Sequence, residues 1–212
     1  MKKVIAINGS PRKKGNTVTL LEKALEGAKS LGAETEMIHL YDLKYKGCTS
    51  CFSCKRKESE HWCKCAMKDD LSLVLEKVME CDVVLLGSPM YIYNITGEMQ
   101  SFMERFIFMN LSYDNRSRTN LTKSINVGCI YAVGMPAEMF PRFQPMFEWQ
   151  KDWAMVMNGK WEYMMSLDSY QFKDYSKYAT GVMNEPHKRK VREEQFPIDC
   201  QNAYDLGRRL TE

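Results

Sequence analysis

The sequence predicts a three-layer α/β fold, in which helices cover both faces of a five-stranded parallel sheet with the strand order 2-1-3-4-5. Short apolar runs alternate along the chain with segments whose apolar residues recur at helical spacing, which is the pattern of repeated βαβ units. The run at 83–86 is apolar at every position, as expected for a strand buried on both faces of a sheet. Five strands of this kind fit a doubly wound order.

The predicted elements follow one another without a linker, an internal repeat or a low-complexity tract. Strands are predicted at residues 4–7, 36–40, 83–86, 125–131 and 161–167. Helices are predicted from about Leu20 to Leu31, over 71–79, 97–108 and 143–157, and around Ala203, Leu206 and Leu210. We therefore expect one domain over residues 1–212, with a cysteine-rich loop at about 47–68 and a C-terminal helical extension at about 187–212.

Composition limits the classes of protein to which the chain can belong. Apolar residues make up 44% of it and charged residues 27%, which excludes a disordered or collagen-like chain. The net charge of +3 is too small to indicate a nucleic-acid partner, and we expect the basic run at 187–192 to be a solvated helix start. Because neither a targeting segment nor an apolar stretch of roughly 20 residues is visible, we expect a cytoplasmic protein with no membrane contact and with reduced cysteines.

The turn after strand 1, residues 9–17, has the composition of a phosphate site. It offers the hydroxyl groups of Ser10 and Thr17, the amide of Asn16 and the donors of Arg12, and it leads into a helix N-terminus with free backbone N–H groups. The motifs G-x-G-x-x-G and G-x-x-x-x-G-K-[ST] are absent, which excludes a dinucleotide fingerprint and a Walker loop. The alternative is a plain helix cap formed by Asn16 or Thr17.

Two further loops follow strands 3 and 4 at the same edge of the sheet, where open α/β folds bind their ligands. The loop at 88–97 mixes aromatic side chains with a backbone that proline stiffens, so it can cover one face of a flat ring. Its candidate contact residues are Pro89, Met90, Tyr91, Tyr93 and Asn94. In the loop at 133–136, Gly134 allows the backbone to approach a ligand closely. Each loop alone is also compatible with an ordinary surface loop, but the three together predict one planar, phosphorylated ligand.

These loops resemble those of a known family. The residues Gly9-Ser10-Pro11-Arg12 and Gly15-Asn16-Thr17 resemble the phosphate loop of the NAD(P)H-dependent FMN reductase and iron-sulfur flavoprotein group, within the flavodoxin-like superfamily. Gly87-Ser88-Pro89-Met90-Tyr91 resembles that group's [ST]-P-x-Y isoalloxazine loop. The resemblance covers residues 2–136 and is looser beyond them. It implies phosphate binding by Ser10, Arg12, Asn16 and Thr17, ring contacts from Pro89, Met90, Tyr91, Tyr93 and Asn94, and a ring edge lined by Gly134.

The same resemblance implies an FMN-dependent oxidoreductase that takes hydride from NADH or NADPH and passes reducing equivalents to an acceptor. The acceptor stays open between a quinone, a free flavin, a nitro or azo compound and a protein. Because the flavin carries the chemistry, no catalytic side chain is predicted, and the three histidines form no triad pattern. Members of this group are commonly homodimers or homotetramers. A set of aromatic residues is expected to lie either at a subunit interface or in the domain core, namely Phe140, Phe143, Phe147, Trp149, Trp153 and Trp161.

Five of the eight cysteines lie between positions 48 and 65. The spacing C-x-x-C-x-x-C of Cys48, Cys51 and Cys54 can place three thiolates around one corner of an iron–sulfur cluster. Cys63 or Cys65 is available as the fourth ligand, and we predict Cys65. The resemblance implies a 4Fe–4S cluster beside the flavin, although the gap before the fourth cysteine is longer here than in the compact run of the family, and the basic residues 55–57 lie within it.

Two alternatives remain for this cysteine cluster. One is a structural zinc ion, which could also use His61, and the other is a set of free, buried or redox-active thiols. The cysteines also favour a second function, an electron carrier in which FMN and a 4Fe–4S cluster exchange single electrons with a protein partner. A third possibility is a zinc-stapled binding module without catalysis. Cys81 and Cys129, which lie beside or within predicted strands, are expected to be small core residues.

Overall fold

Five parallel strands form a single sheet in the computed structural model, which describes residues 1–148 and 150–212. The strands are β1 (Lys3–Asn8), β2 (Glu34–His39), β3 (Val83–Pro89), β4 (Asn126–Ala132) and β5 (Trp161–Ser166). Their order is β2-β1-β3-β4-β5, and all four neighbouring pairs are parallel. The predicted fold class and strand order are therefore confirmed.

The described helices lie on both faces of this sheet. They are α1 (Asn16–Lys29), α2 (Asp70–Glu80), α3 (Gly97–Asn110), α4 (Gln144–Glu148), α5 (Gln150–Ala154), α6 (Glu185–Glu194) and α7 (Phe196–Thr211). The single helix predicted over 143–157 is wrong, since the chain forms α4, α5 and a 3-10 turn at 155–157 that ends at Asn158 with φ of 55°. Trp149, between α4 and α5, lies outside the described residues. No helix in the described ranges is both long and apolar enough to cross a membrane.

The two faces of the sheet have different apolar layers. Helices α1 and α7 cover one face, where Leu20, Leu21, Leu206 and Leu210 are buried against β1, β3 and β4. Helices α2 and α3 cover the other face, together with the segment after β4. Of the aromatic residues at 140–161, Phe147 is buried in this second layer, and the remaining described ones, Phe140, Phe143, Trp153 and Trp161, pack against it. The core alternative therefore holds for Phe147, while the other four are half-buried and are compatible with either alternative.

The N-terminus of α3 ties together the loops that follow β1 and β3. The Thr96 hydroxyl caps the helix by accepting from Met99 N–H, and it donates to the carbonyl of Gly9 over 2.7 Å. The Thr96 N–H donates to the Ser88 hydroxyl over 3.0 Å, and the Gly9 N–H donates to the Gly87 carbonyl over 2.8 Å. Because strand order reverses between β1 and β3, these bonds fix the backbone at the switch point of the sheet, where a ligand is expected.

Candidate functional site

A cavity of about 390 Å³ opens at the carboxyl edge of the sheet. This volume lies within the range of sites that bind small molecules and cofactors. All three predicted loops contribute to its walls, as does the segment after β5. Eight of the ten predicted cofactor residues line it, namely Ser10, Arg12, Asn16, Thr17, Pro89, Met90, Tyr91 and Gly134.

One end of the cavity is the N-terminus of α1. The N-cap residue is Gly15, and no side chain caps the helix, so the plain helix cap considered from the sequence is not formed. The buried Ser10 is held by a hydrogen bond from its N–H to Asn8 Oδ1 over 3.0 Å, and its hydroxyl accepts from the Arg12 N–H over 3.2 Å. Uncapped N–H groups and the positive end of the helix dipole therefore face the cavity, which is a favourable environment for a phosphate.

Two of the predicted phosphate residues are held by the segment after β5. The Arg12 guanidinium donates to the Gln171 carbonyl over 2.8 Å, and the Asn16 amide donates to the Tyr170 carbonyl over 3.2 Å. Arg192 of α6 donates to Asn16 Oδ1 over 2.8 Å. Four cations line the cavity in all, Arg12, Lys14, Lys173 and Arg192. Their charges make this end of the cavity attractive to a dianion.

The opposite wall contains Pro89, Met90, Tyr91 and Gly134. A Cβ atom on Gly134 would stand 2.3 Å from Gln171 Nε2, so only glycine leaves the present arrangement undisturbed. The Gly134 carbonyl accepts from the buried Lys188 ammonium over 2.9 Å, and the same ammonium pairs with the carboxylate of Asp168. The backbone of this third loop is therefore fixed from behind by a buried ion pair.

Tyr93 and Asn94 do not line the cavity. Tyr91 and Asn94 exchange backbone hydrogen bonds of 2.7 and 3.0 Å, which closes a tight turn with Ile92 and Tyr93 at positive φ. This turn stacks Tyr93 on Phe143, with ring centroids 4.6 Å apart, while Asn94 Oδ1 accepts from Ile95 N–H. The structure therefore gives no support to the direct ring contacts predicted for these two residues.

The sequence reasoning missed the contributions of residues 169–173 and Arg192. A signal for the first set was present, because the segment follows strand 5 and must reach the same edge of the sheet as the three predicted loops. Arg192 belongs to the basic run at 187–192, for which only a solvated helix start was expected. Its role depends on how α6 folds back onto α1, which no local pattern indicates.

The four predicted cluster cysteines line a second pocket. Cys48, Cys51, Cys54 and Cys65 share it with Phe52, Phe108, Met109 and Arg105. Cys63 does not line this pocket but lines a neighbouring cavity beside Trp62, to which Cys65 also contributes. The chain therefore brings together the chosen set of four and turns Cys63 elsewhere. The wall opposite the cysteines is formed by the C-terminal half of α3.

The basic residues between the third and fourth cysteines are kept out of this pocket. Lys55 donates to the carbonyls of Phe108 and Leu111, and its ammonium lies 4.7 Å from the centre of the Phe108 ring. Arg56 and Lys57 are exposed, and Lys57 pairs with Asp114 over 3.3 Å. The longer spacing before Cys65 therefore folds so that Arg56 and Lys57 lie at the surface. Lys55 is close enough for its charge to act on the Cys54 thiol, but backbone carbonyls hold its ammonium and it does not line the pocket.

The thiols of the chain differ in acidity. Hydrogen bonds from the Ser53 hydroxyl and from the Ser53 N–H lower the pKa of Cys51, whereas burial raises the pKa of Cys54. Burial also raises the pKa of Cys81 to about 12 and that of Cys129 to about 11. The last two are fully buried in the core, as predicted, and have the character of inert thiols.

No group of three or more Cys, His, Asp and Glu residues within the described ranges is arranged to hold one metal ion. A zinc site needs four ligands around a single centre, so this geometry gives no support to the zinc alternative. A 4Fe–4S cluster makes a different demand, because its four cysteines bind four different iron atoms and stand further apart.

Arg105 of α3 is the buried cation of the cysteine pocket. Its side chain is fully buried, and its Nη1 atom donates to Asp69 Oδ2 over 2.6 Å and to the Lys46 carbonyl over 3.2 Å. Burial lowers the pKa of Arg105, but the hydrogen bond that Arg105 donates to Asp69 and its interaction with the neighbouring Cys65 together outweigh burial, so the pKa is raised. Nε and Nη2 are buried without a hydrogen-bond partner among the described residues.

Comparison with known proteins gives the same assignment as the loops. Residues 2–127 match the family model described as NADPH-dependent FMN reductase. Two proteins of Archaeoglobus fulgidus, both named iron-sulfur flavoprotein, are 43% identical over 103 residues (49% of this chain, 48% of the relative) and 33% identical over 157 residues (74% and 66%). The chain thus spans about half to two thirds of the length of these curated relatives.

A solved structure titled NAD(P)H:quinone oxidoreductase from Methanothermobacter marburgensis shares the fold. Its TM-score is 0.68 at 14% identity, and the alignment covers 99% of this chain and 98% of that one. The family match and the shared fold confirm the resemblance drawn from the loop residues.

Proposed function

Because the chain belongs to the NADPH-dependent FMN reductase family, a family of oxidoreductases, we propose that it is an FMN-dependent enzyme that passes reducing equivalents from NAD(P)H to an acceptor. The observation that carries this proposal is the single cavity at the switch point of the sheet, which joins an uncapped helix N-terminus to a wall of Tyr91 and Gly134. One end suits a dianionic phosphate and the other suits a flat ring, and FMN has both.

Different residues of the chain would hold the phosphate and the ring of FMN. The N–H groups at the start of α1, with Ser10, Thr17 and Arg12, would bind the phosphate, and Asn16 is held in place for it by Arg192. Pro89, Met90 and Tyr91 would pack against the ring, while the Gly134 backbone would lie along its other edge. When bound, FMN supplies the transfer of hydride and electrons, and the protein supplies orientation and electrostatics.

A second proposal concerns the cysteine pocket. We infer that Cys48, Cys51, Cys54 and Cys65 hold a 4Fe–4S cluster, because the four line one pocket whose remaining wall is largely apolar. The two free donors of Arg105 indicate that the pocket is built for an anionic group, since unpartnered buried charges are costly. The name iron-sulfur flavoprotein, carried by the Archaeoglobus relatives, supports the same inference. With such a cluster, single-electron exchange with a protein partner becomes the alternative to a small-molecule acceptor such as a quinone or a flavin.

Anaerobic purification followed by an absorbance spectrum and analysis of flavin, iron and sulfide tests both proposals. We expect a yellow-brown protein with one FMN per chain and iron and sulfide in equal amounts, whose flavin band bleaches on addition of NADH or NADPH. Flavin without iron would remove the cluster and leave the reductase. A colourless protein that does not take up added FMN would overturn the reductase proposal. We further propose that the protein is cytoplasmic and that it forms a homodimer or a homotetramer. Light scattering at several protein concentrations would test the oligomeric state.

A further inference from the structure

The Arg105 side chain has more donors than the protein around it uses. It is one of the largest fully buried side chains of the chain, and Asp69 and the Lys46 carbonyl both accept from Nη1. Nε and Nη2 are left without acceptors within the part of the chain that the structure describes, although both atoms are buried. Burying a charged donor without a partner is costly, so this arrangement indicates a further acceptor beside these two nitrogen atoms.

The position of the guanidinium identifies that acceptor. Arg105 lines the cysteine pocket together with Cys65 and the C-x-x-C-x-x-C cysteines, and its charge interacts with the Cys65 thiol. Lys55, the other cation near the thiols, has its ammonium committed to two backbone carbonyls. Arg105 therefore keeps two donor nitrogens without acceptors among the described residues, whereas two of the three N–H groups of the Lys55 ammonium are already used.

Resting on the proposed cluster, we propose that Arg105 is a positioning residue that donates hydrogen bonds to the sulfur atoms on the Cys65 side of the cluster and thereby sets its reduction potential. Asp69 anchors the guanidinium by one nitrogen, and Asp69 is itself held at the N-cap of α2, where its N–H donates to the Ser72 hydroxyl over 3.1 Å. Hydrogen bonds to cluster sulfurs and nearby positive charge stabilise the reduced, more negative state. Arg105 therefore raises the potential, and it also explains why Cys65, and not Cys63, completes the set.

The test is a redox titration of the holoprotein, monitored by electron paramagnetic resonance, on wild type, Arg105→Gln and Arg105→Lys. We expect the midpoint potential to fall in Arg105→Gln by about a tenfold change in the reduction equilibrium, which is about 59 mV for a one-electron couple, and to fall less in Arg105→Lys, which keeps the charge. FMN content and circular dichroism should stay at wild-type values. The control is Arg56→Gln, which removes an exposed cation from the cysteine-rich loop at about 47–68. This variant should leave the midpoint potential unchanged.

Arg105→Gln alone leaves the Asp69 carboxylate without its partner, which could prevent folding. The double variant Asp69→Asn with Arg105→Gln removes this carboxylate and replaces the single variant in the titration if the single variant does not fold. It also removes one charge of each sign, so a fall in its potential reports on the lost donors. An unchanged potential in Arg105→Gln or in the double variant, with iron and sulfide retained, would overturn the inference. An equal fall in Arg56→Gln would also overturn it. Absence of iron from the wild-type holoprotein would instead remove the proposed cluster, so the two failures are distinguishable.

Discussion

The acidity of Cys51 is set by its neighbour Ser53. The Ser53 hydroxyl and N–H bond to the thiolate and lower the pKa of Cys51, while Cys54 in the same pocket has its pKa raised by burial. A thiol with a lowered pKa keeps its reactive thiolate at lower pH. In protein stripped of iron, we expect iodoacetamide at pH 7.5 to modify Cys51 several-fold faster than Cys54.

Replacing Ser53 by Ala removes the hydroxyl that contributes most to lowering the pKa of Cys51, so this pKa should rise and the alkylation profile should move to higher pH. Peptide mass spectrometry across pH 6–9 measures both rates. Ser50→Ala, at an exposed position of the same loop, is the matched control and should leave the profile in place. A Ser53→Ala profile that coincides with wild type would contradict this account of Cys51.

Single residues of the site were predictable where they follow a strand directly. Ser10 and Gly134 were found because local composition and the edge rule for parallel sheets act together. Arg105 and Arg192 were not found, because each is remote in sequence from the groups it meets. In the sequence, Arg105 follows Glu104 in a helix that also contains Glu98, and only the packing of α3 against the cysteine loop shows that the Arg105 side chain is fully buried.

Helices α1 and α7 approach each other so closely that two glycines are required at their contact. A Cβ atom on Gly207 would stand 1.9 Å from the Ala24 carbonyl oxygen, and one on Gly27 would stand 2.0 Å from that of Tyr204. The obstacle in both cases is backbone, which cannot rotate away. We expect Gly207→Ala to lower the free energy of unfolding by about 3 kcal/mol through overpacking.

Urea denaturation followed by circular dichroism measures this change. The matched control is Gly97→Ala at the start of α3, where a Cβ atom would meet nothing within 4 Å. We expect that control to shift stability by no more than about 0.5 kcal/mol. Equal stability of Gly207→Ala and Gly97→Ala would show that α7 does not pack on α1 as described.

Helix α6 brings a cation to the cavity from the far end of the chain. Arg192 lines the cavity and bonds to Asn16, whereas Arg189, one turn earlier, points to Glu185 with its guanidinium nitrogen 2.7 Å from the carboxylate. We expect Arg192→Ala to weaken FMN binding about tenfold, or about 1.4 kcal/mol, because a charge near the phosphate and the support of Asn16 are both lost. Arg189→Ala should bind FMN as wild type does. Fluorescence titration of apoprotein with FMN at fixed ionic strength compares the two, and equal affinities would remove α6 from the site.

Elements with a strong apolar period were predictable, and those without one were not. The predicted β3 run at 83–86 lies inside the observed strand Val83–Pro89, because a strand buried on both faces is apolar throughout. The prediction of one helix over 143–157 was wrong, because the short helices of this segment are set by tertiary packing against the sheet. The cysteine loop has no period at all, and its path follows from contacts with α3.

At the scale of the whole molecule, α3 joins the two sites. Its N-cap Thr96 fixes the loops at the FMN cavity, and Arg105, nine residues later, lies in the cysteine pocket. At 1.5 Å per residue, that separation is about 14 Å along the helix axis. One element therefore sets the relative position of the FMN cavity and of the pocket proposed for the cluster, which appear in the sequence only as two separate motifs.

If the chain holds both FMN and a cluster, the number of electrons that it takes up shows whether both are present. Two electrons are expected for FMN and one for a 4Fe–4S cluster, so anaerobic titration of the holoprotein with dithionite should require about three electron equivalents per chain. Cys51→Ser removes one of the four proposed cluster ligands, and it does so at an exposed position, which limits damage to the fold. It should lower the count to about two while NAD(P)H still bleaches the flavin.

Cys200→Ser is the matched control, because it also removes one cysteine but lies on α7, away from the pocket. It should keep the count near three. A count of two in wild type would mean that the cysteine pocket stores no electron, and loss of flavin bleaching in Cys51→Ser would mean that hydride transfer depends on that pocket. Either result would contradict the separation of roles in which the cavity at the switch point handles electron pairs and the pocket beneath α3 handles single electrons.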